Sequence, residues 1–158
     1  MRLPRTPRLP GNRRVLHPTD FSPASRPAFR AAVETAKAGG APLLLVHVVT
    51  PVVRIPDVYT ASMTTFDAFE RSIHADARKR LDRLVAEARA AGVRADGLLL
   101  HGVPLDLILR AARSRRADVI VMGTHGRTGL AGAFLGSVAA RVVALAPCPV
   151  LTVRARRQ

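Results

Sequence analysis

The sequence predicts a single α/β domain, a doubly wound five-stranded parallel sheet with helices on both faces, and three observations carry that prediction. The chain has 158 residues, the size of one domain on the usual scale of ~100–200 residues. Nearly half of them (48%) are apolar, which excludes a disordered or fibrous chain and supplies a core. Short, continuously apolar runs alternate with longer segments of helical period, the pattern of buried parallel strands separated by covering helices.

The elements follow in order. Val15-Leu16 opens the first strand, bounded by His17-Pro18-Thr19-Asp20. Ser22-Pro23 has the form of a helix start, with Ser as cap and Pro in the first turn. Phe29, Ala32, Val33 and Ala36 make one apolar stripe that stops at Gly39-Gly40. Pro27 would remove an interior backbone donor from that helix, which leaves a later start open. Leu43–Val49 is a second strand, apolar except for His47 and expected to be buried on both faces. Thr50 to Thr65 has no clear period, and connections of that length are usually functional or mobile. Phe66, Phe69, Ile73, Ala77, Leu81, Leu84, Val85 and Ala88 repeat at three and four, predicting the longest helix, stopped by Gly92. A third strand is expected over Val93 to Leu100. Pro104 starts a third helix with Leu105, Ile108, Leu109 and Ala112 inward and Asp106 suiting the helix dipole in its first turn. Asp118 to Met122 is the fourth strand, Ser137 to Leu145 the fourth helix, and Pro149 to Val153 the fifth strand. Right-handed crossovers then restrict the topology.

Composition narrows the function classes. One cysteine, Cys148, allows neither an intrachain disulfide nor a thiolate metal cage, in keeping with a reducing, cytoplasmic location. With no Trp, one Tyr and five Phe, the chain lacks the stacking platforms used on single-stranded nucleic acid. The formal net charge is +14, but Arg2, Arg5, Arg8, Arg13, Arg14, Arg154, Arg156 and Arg157 lie at the ends, and removing those eight leaves +6. Residues 1–12 are therefore expected to be a basic flexible arm, 13–153 the domain and 154–158 a basic tail; nucleic-acid contact through the arms is the sharper, less supported reading of the same charge. No apolar segment of secretory type follows the first twelve residues. Gly129 to Val153 holds one charge, Arg141, yet Gly132, Gly136, Pro147 and Pro149 interrupt it, so it reads as loop, helix and strand rather than a membrane span.

In sheets of this kind ligands bind at the carboxyl ends of the strands, near the point where strand order reverses. The loop after the fourth strand, Gly123 to Ser137, has five glycines in fifteen residues, far above the ~7% average. Glycines let backbone approach an oxyanion, and a helix start at Gly136-Ser137 presents free N–H groups, which together make a phosphate cradle. A Walker A loop is excluded by the missing Lys, and a dinucleotide fingerprint by the spacing. Arg127 is either a bidentate phosphate partner or a solvated side chain, and His125 is a surface histidine. His47 reads as a satisfied core residue. His17, His101 and Asp20 lack the short spacing of a metal site.

Gly123, two residues, Gly126, nine residues, then Gly136-Ser137 resembles the ATP-binding signature of the universal stress protein family. The similarity extends to Pro18-Thr19-Asp20-Phe21-Ser22, Leu45-Val46-His47-Val48, Gly102-Val103-Pro104 and Cys148-Pro149-Val150-Leu151, and covers about residues 13–153. The resemblance implies a Rossmann-like, adenine nucleotide alpha hydrolase-like fold and an ATP-binding, nucleotide-dependent regulator of the stress response that works with unidentified protein partners. It implies that Pro18, Thr19, Asp20 and Val48 enclose adenine and ribose, that Met122, Gly123, Gly126, Gly136, Ser137 and Val138 line phosphates and sugar, and that ATP arrives with Mg2+. It also implies a homodimer through the last strand, whose Val150, Leu151 and Val153 would otherwise leave an apolar edge. Asp20 has two readings, acceptor for ribose hydroxyls or metal-bound water, and turn residue ahead of Ser22. Asp20 is the one carboxylate near the expected site and no nucleophile–base arrangement accompanies it. Rapid phosphoryl transfer is therefore not expected, and slow hydrolysis remains compatible. The alternative functions are a dimeric interaction module of the same fold that binds no nucleotide, and a slow ATPase.

Overall fold

The most apolar run of the sequence becomes a strand flanked on both sides, as its composition requires. In the computed structural model, which describes residues 14–51, 63–124 and 135–155, the strands are β1 (Val15–Pro18), β2 (Leu43–Val49), β3 (Ala95–His101), β4 (Val119–Gly123) and β5 (Val150–Val153). The helices are α1 (Arg26–Gly39), α2 (Met63–Ala90), α3 (Pro104–Ser114) and α4 (Ser137–Leu145), with a 3₁₀ turn at Pro23–Ser25. All strand pairs are parallel and the order is β3-β2-β1-β4-β5, so β2, β1 and β4 are interior and the direction of winding reverses between β1 and β4.

Alternation along the strands sorts the core into two layers. Val15, Leu43, Leu45 and Val121 pack with Phe29 and Ala32 of α1 and Leu81 and Val85 of α2. Leu16, Val46, Ile120 and Met122 pack with Ile108 and Leu109 of α3 and Ala139 and Val142 of α4. At Gly97 of β3 a Cβ would stand 3.0 Å from Leu81 Cγ and 3.1 Å from Val85 Cγ2, so the missing side chain is what lets α2 sit this close to the sheet. Gly40, at φ +60°, ends α1 in the left-handed conformation that spares a Cβ clash.

Several expectations change. Ser22 does not cap a helix through its side chain; a 3₁₀ turn intervenes, α1 starts at Arg26, and Pro27 falls in its first turn, where its lost N–H is one of the unpaired ones. Phe69, placed in the buried stripe of α2, is 55% exposed. The physical reason is length: the 28 residues of α2 span ~42 Å, whereas the seven of β3 span ~23 Å, so the first turns of α2 overhang the sheet and burial begins at Ala77. Cys148 is half-buried against the α3 and α4 layer. Residues 63–65, read as connection, belong to α2. Residues 52–62, 1–13 and 156–158, with the arm and most of the tail, lie outside the described residues. Among the described residues no helix is long and apolar enough to cross a membrane.

Candidate functional site

β1 and β4 pair only at Val15–Val119 and Leu16–Ile120, and beyond that point a cleft of about 350 Å³ opens between them on the α3 and α4 side. That volume is in the range of small-molecule sites, ~300–1,000 Å³. Of the eleven positions singled out in the sequence, nine line this one cleft: Pro18, Thr19 and Asp20 from the end of β1, Val48 from β2, Met122 and Gly123 from β4, and Gly136, Ser137 and Val138 from the start of α4. Gly126 and Arg127 lie outside the described residues.

The turn after β1 is built by its own side chains. Thr19 N–H continues the ladder to Val46 O (2.9 Å), and Thr19 Oγ1 accepts from Phe21 N–H (3.1 Å). Asp20 Oδ1 accepts from both Ser22 N–H (3.0 Å) and Ser22 Oγ–H (2.7 Å). The turn reading of Asp20 is therefore satisfied by one oxygen, while the residue also stands on the cleft wall. Phe21 takes φ +61°, a strained value for a non-glycine residue. Its ring lies 4.1 Å from that of His47, centroid to centroid, and His47 Nδ1–H donates to Thr19 O (2.7 Å). His47 is thus a hydrogen-bonded, buried residue as expected, and it props the β1 turn from β2.

The opposite wall is the start of α4. Gly136 is its N-cap residue, among the described residues no side chain caps the helix, and Gly136 N–H is held by Thr124 O (2.7 Å). The first-turn N–H groups of Ser137, Val138 and Ala139, all cleft residues, have no intrahelical partner by the geometry of a helix start. Pro104 and Ile108 of α3 close the apolar side. Eight further cleft residues, Ser25, Val46, His47, Thr50, Pro104, Ile108, Thr124 and Ala139, were not among the candidate positions; Thr124 lies in the glycine-rich loop, Val46, His47 and Pro104 in runs that carry the family resemblance, and Ile108 on a predicted inward stripe, whereas Ser25, Thr50 and Ala139 carried no signal of a cleft. Among the described residues no three His, Cys, Asp or Glu side chains are grouped to hold a metal ion.

His17, expected in a turn, is instead fully buried in β1, on the α1 side of the sheet with its ring 6.0 Å from that of Phe29. Burial lowers its pKa to about 4, against the opposing effects of its bond to Val121 O and of the Asp20 carboxylate.

A parallel α/β sheet with a cleft of small-molecule size where its winding reverses, floored by strand ends and walled by a helix start, defines a doubly wound α/β domain with a candidate ligand site. The chain belongs to the universal stress protein family, whose model matches residues 11–154. It is 43% identical over 142 residues to a universal stress protein of Thermus aquaticus, covering 89% of this chain and 97% of that one. Among solved structures, the universal stress protein from Archaeoglobus fulgidus in complex with dAMP superimposes with a TM-score of 0.63 at 26% identity, covering 92% of this chain and all (100%) of the other. A universal stress protein in complex with cAMP superimposes with a TM-score of 0.67 at 26% identity, covering 92% and 99%.

Proposed function

We propose that the cleft between β1 and β4 binds an adenine nucleotide, ATP in the first instance, and that occupancy acts as a switch in a stress-response regulator. One observation carries this reading: nine positions chosen from the sequence converge on a single cleft whose far wall is an uncapped helix start. The adenine nucleotides dAMP and cAMP in two structures of the same family support the ligand class. The N–H groups of Ser137 and Val138, with the positive end of α4, suit a phosphate. The Ser137 hydroxyl adds a donor, and Asp20 accepts from ribose hydroxyls. Gly126 and Arg127 extend the phosphate side. Mg2+ would travel with the phosphates, because Asp20 is the one acid among the described cleft residues. Ligand linkage supplies the switch: a nucleotide that touches both the β1 turn and the α4 start stabilises the state in which they face each other. The segment 50–65 is the candidate reporter of that change, within a cytoplasmic homodimer joined along the β5 edge, where Leu151 is exposed.

The test is nucleotide content. Freshly purified protein, denatured and analysed by chromatography and absorbance, releases adenine nucleotide in near-stoichiometric amount, and emptied protein gives titration heat with ATP·Mg. Neither release nor heat would leave an interaction module without nucleotide. Slower hydrogen exchange over residues 50–65 with ATP supports the switch, and equal exchange rejects it.

A further inference from the structure

His17 is the buried group that the nucleotide reading does not use, and its place in the sheet has a specific geometric meaning. In the parallel register Leu16 stands opposite Ile120, so two residues further Pro18 would stand opposite Met122 and its amide would donate to the carbonyl of Val121. Proline has no N–H to give. The other amides agree with this phase: Val15 and Thr19 donate to β2, while Ile120 and Thr124 donate to β5, which leaves Pro18 and Val121 facing one another across the β1–β4 seam. The carbonyl of Val121 is nevertheless satisfied, by His17 Nδ1–H at 2.7 Å. We propose that His17 is a positioning residue: its side chain takes the place of the hydrogen bond Pro18 cannot make, bridging β1 and β4 where the seam opens and holding the cleft floor at Met122 and Gly123 in register.

The bridge assigns the tautomer. A carbonyl only accepts, so the ring proton is on Nδ1. Nε2 is then a bare acceptor, and it is buried with no hydrogen-bond partner among the described residues. An unpaired buried nitrogen costs stability, and its retention follows if the other nitrogen satisfies a backbone carbonyl that would otherwise be orphaned in turn. Phe29 packs on the ring and Asp20 is the charged group acting on it. The consequence for binding rests on the nucleotide reading above; the ladder claim does not.

Nitrogen-15 NMR of the histidine-labelled full chain tests the ladder first. A protonated Nδ1 that exchanges slowly and shows coupling to the Val121 carbonyl carbon is expected, and a proton on Nε2 overturns the proposal without any variant. His17→Phe keeps the stacking on Phe29 and removes the donor, whereas His17→Asn keeps an N–H in the position of Nδ1. In His17→Phe the amide of Gly123, next on the β1-facing side of β4, exchanges roughly tenfold faster and adenine nucleotide binds roughly tenfold more weakly, the worth of about one hydrogen bond; His17→Asn restores both. Unchanged exchange at Gly123 in His17→Phe refutes the bridge. If the wild type binds no adenine nucleotide, the reading of the cleft fails while tautomer and exchange still decide the role of His17, and if His17→Phe does not fold, the tautomer decides it.

Discussion

On one face of the sheet α1 and α2 run 14 and 28 residues; on the other α3 and α4 run 11 and 9. The long pair closes its layer around Leu81, Leu45 and Val121, each fully buried, and toward the carboxyl edge a cavity of about 420 Å³ lies between the end of β2 and Ile73, Asp76 and Arg80 of α2. On the side of the short pair, the starts of α3 and α4 at Pro104 and Ser137 line the cleft that opens over Met122, Val46 and Val48. Both faces satisfy the same rule of apolar alternation. The two faces differ in what meets the ends of the strands: on one, the starts of α3 and α4 face the ends of β1 and β4 across the cleft, and on the other, the first turns of α2 run past the sheet. His17 joins the two, with its ring in the closed layer and its hydrogen bond on the seam that opens.

The comparison breaks most severely where the closed face is cut. Leu81→Ala removes a fully buried side chain and is expected to cost ~2–5 kcal/mol in urea unfolding, while the nucleotide affinity of the folded fraction stays within a factor of ~3, since additivity holds for distant sites. A loss of affinity as large as the loss of stability would show that the faces are not separable.

Acid sharpens the comparison from within the closed layer. Burial holds the folded pKa of His17 at about 4, below the ordinary histidine value of 6.5, so between those values the unfolded chain binds the proton and the folded chain does not. Stability is therefore complete above about pH 6.5 and falls as pH drops toward 4, by on the order of 3 kcal/mol from this group. The variant His17→Asn flattens that part of a stability–pH curve measured by thermal unfolding; an unchanged slope would remove His17 as its source.

On the open face, Asp20→Ala removes an acceptor from the cleft wall and the two hydrogen bonds from Ser22. Calorimetric titration is expected to show ATP binding weakened roughly 10–100-fold, the range for hydrogen bonds to a charged group, with Ser22→Ala, which loses only the hydroxyl contact, weakened far less. Equal losses would make Asp20 a turn residue only. The smallest effect belongs to the surface of the closed side: Arg26 and Glu87 form a two-pronged ion pair at 2.9 and 3.0 Å but are 43% and 48% exposed, so Arg26→Ala costs ~0–1 kcal/mol by urea titration and less in high salt.

How far the sequence could be read varies by element for physical reasons. The bounds of β2 and α4 and the start of α3 match the pattern because a seven-residue apolar run, a Pro104 start and a Gly136-Ser137 start are local signals. Phe69 misled because helical period says which face is apolar and nothing about where the sheet beneath it ends. Ser22 misled because the 3₁₀ turn is held by Asp20 and Ser25, a local competition between polar side chains that residue type alone does not rank. Of the nine cleft positions, the residues of the β1 turn and of the Gly136-Ser137 helix start carry turn or glycine chemistry of their own, whereas Val48 and Met122, apolar residues inside strands, were legible only through the family resemblance; Ser25, Thr50 and Ala139 were not, as nothing in their types separates a cleft wall from a core or a turn.

Periodicity and punctuation alone determined the strand and helix count, the parallel class and the region where a ligand would sit, because these depend on interactions within a few residues. Only the tertiary structure decided which strands adjoin, that Pro18 faces Val121 and that a histidine beside a turn is buried with one nitrogen across a seam. Those depend on neighbours up to 104 residues away in sequence, whose proximity is set by packing of the two helix layers and by no local preference.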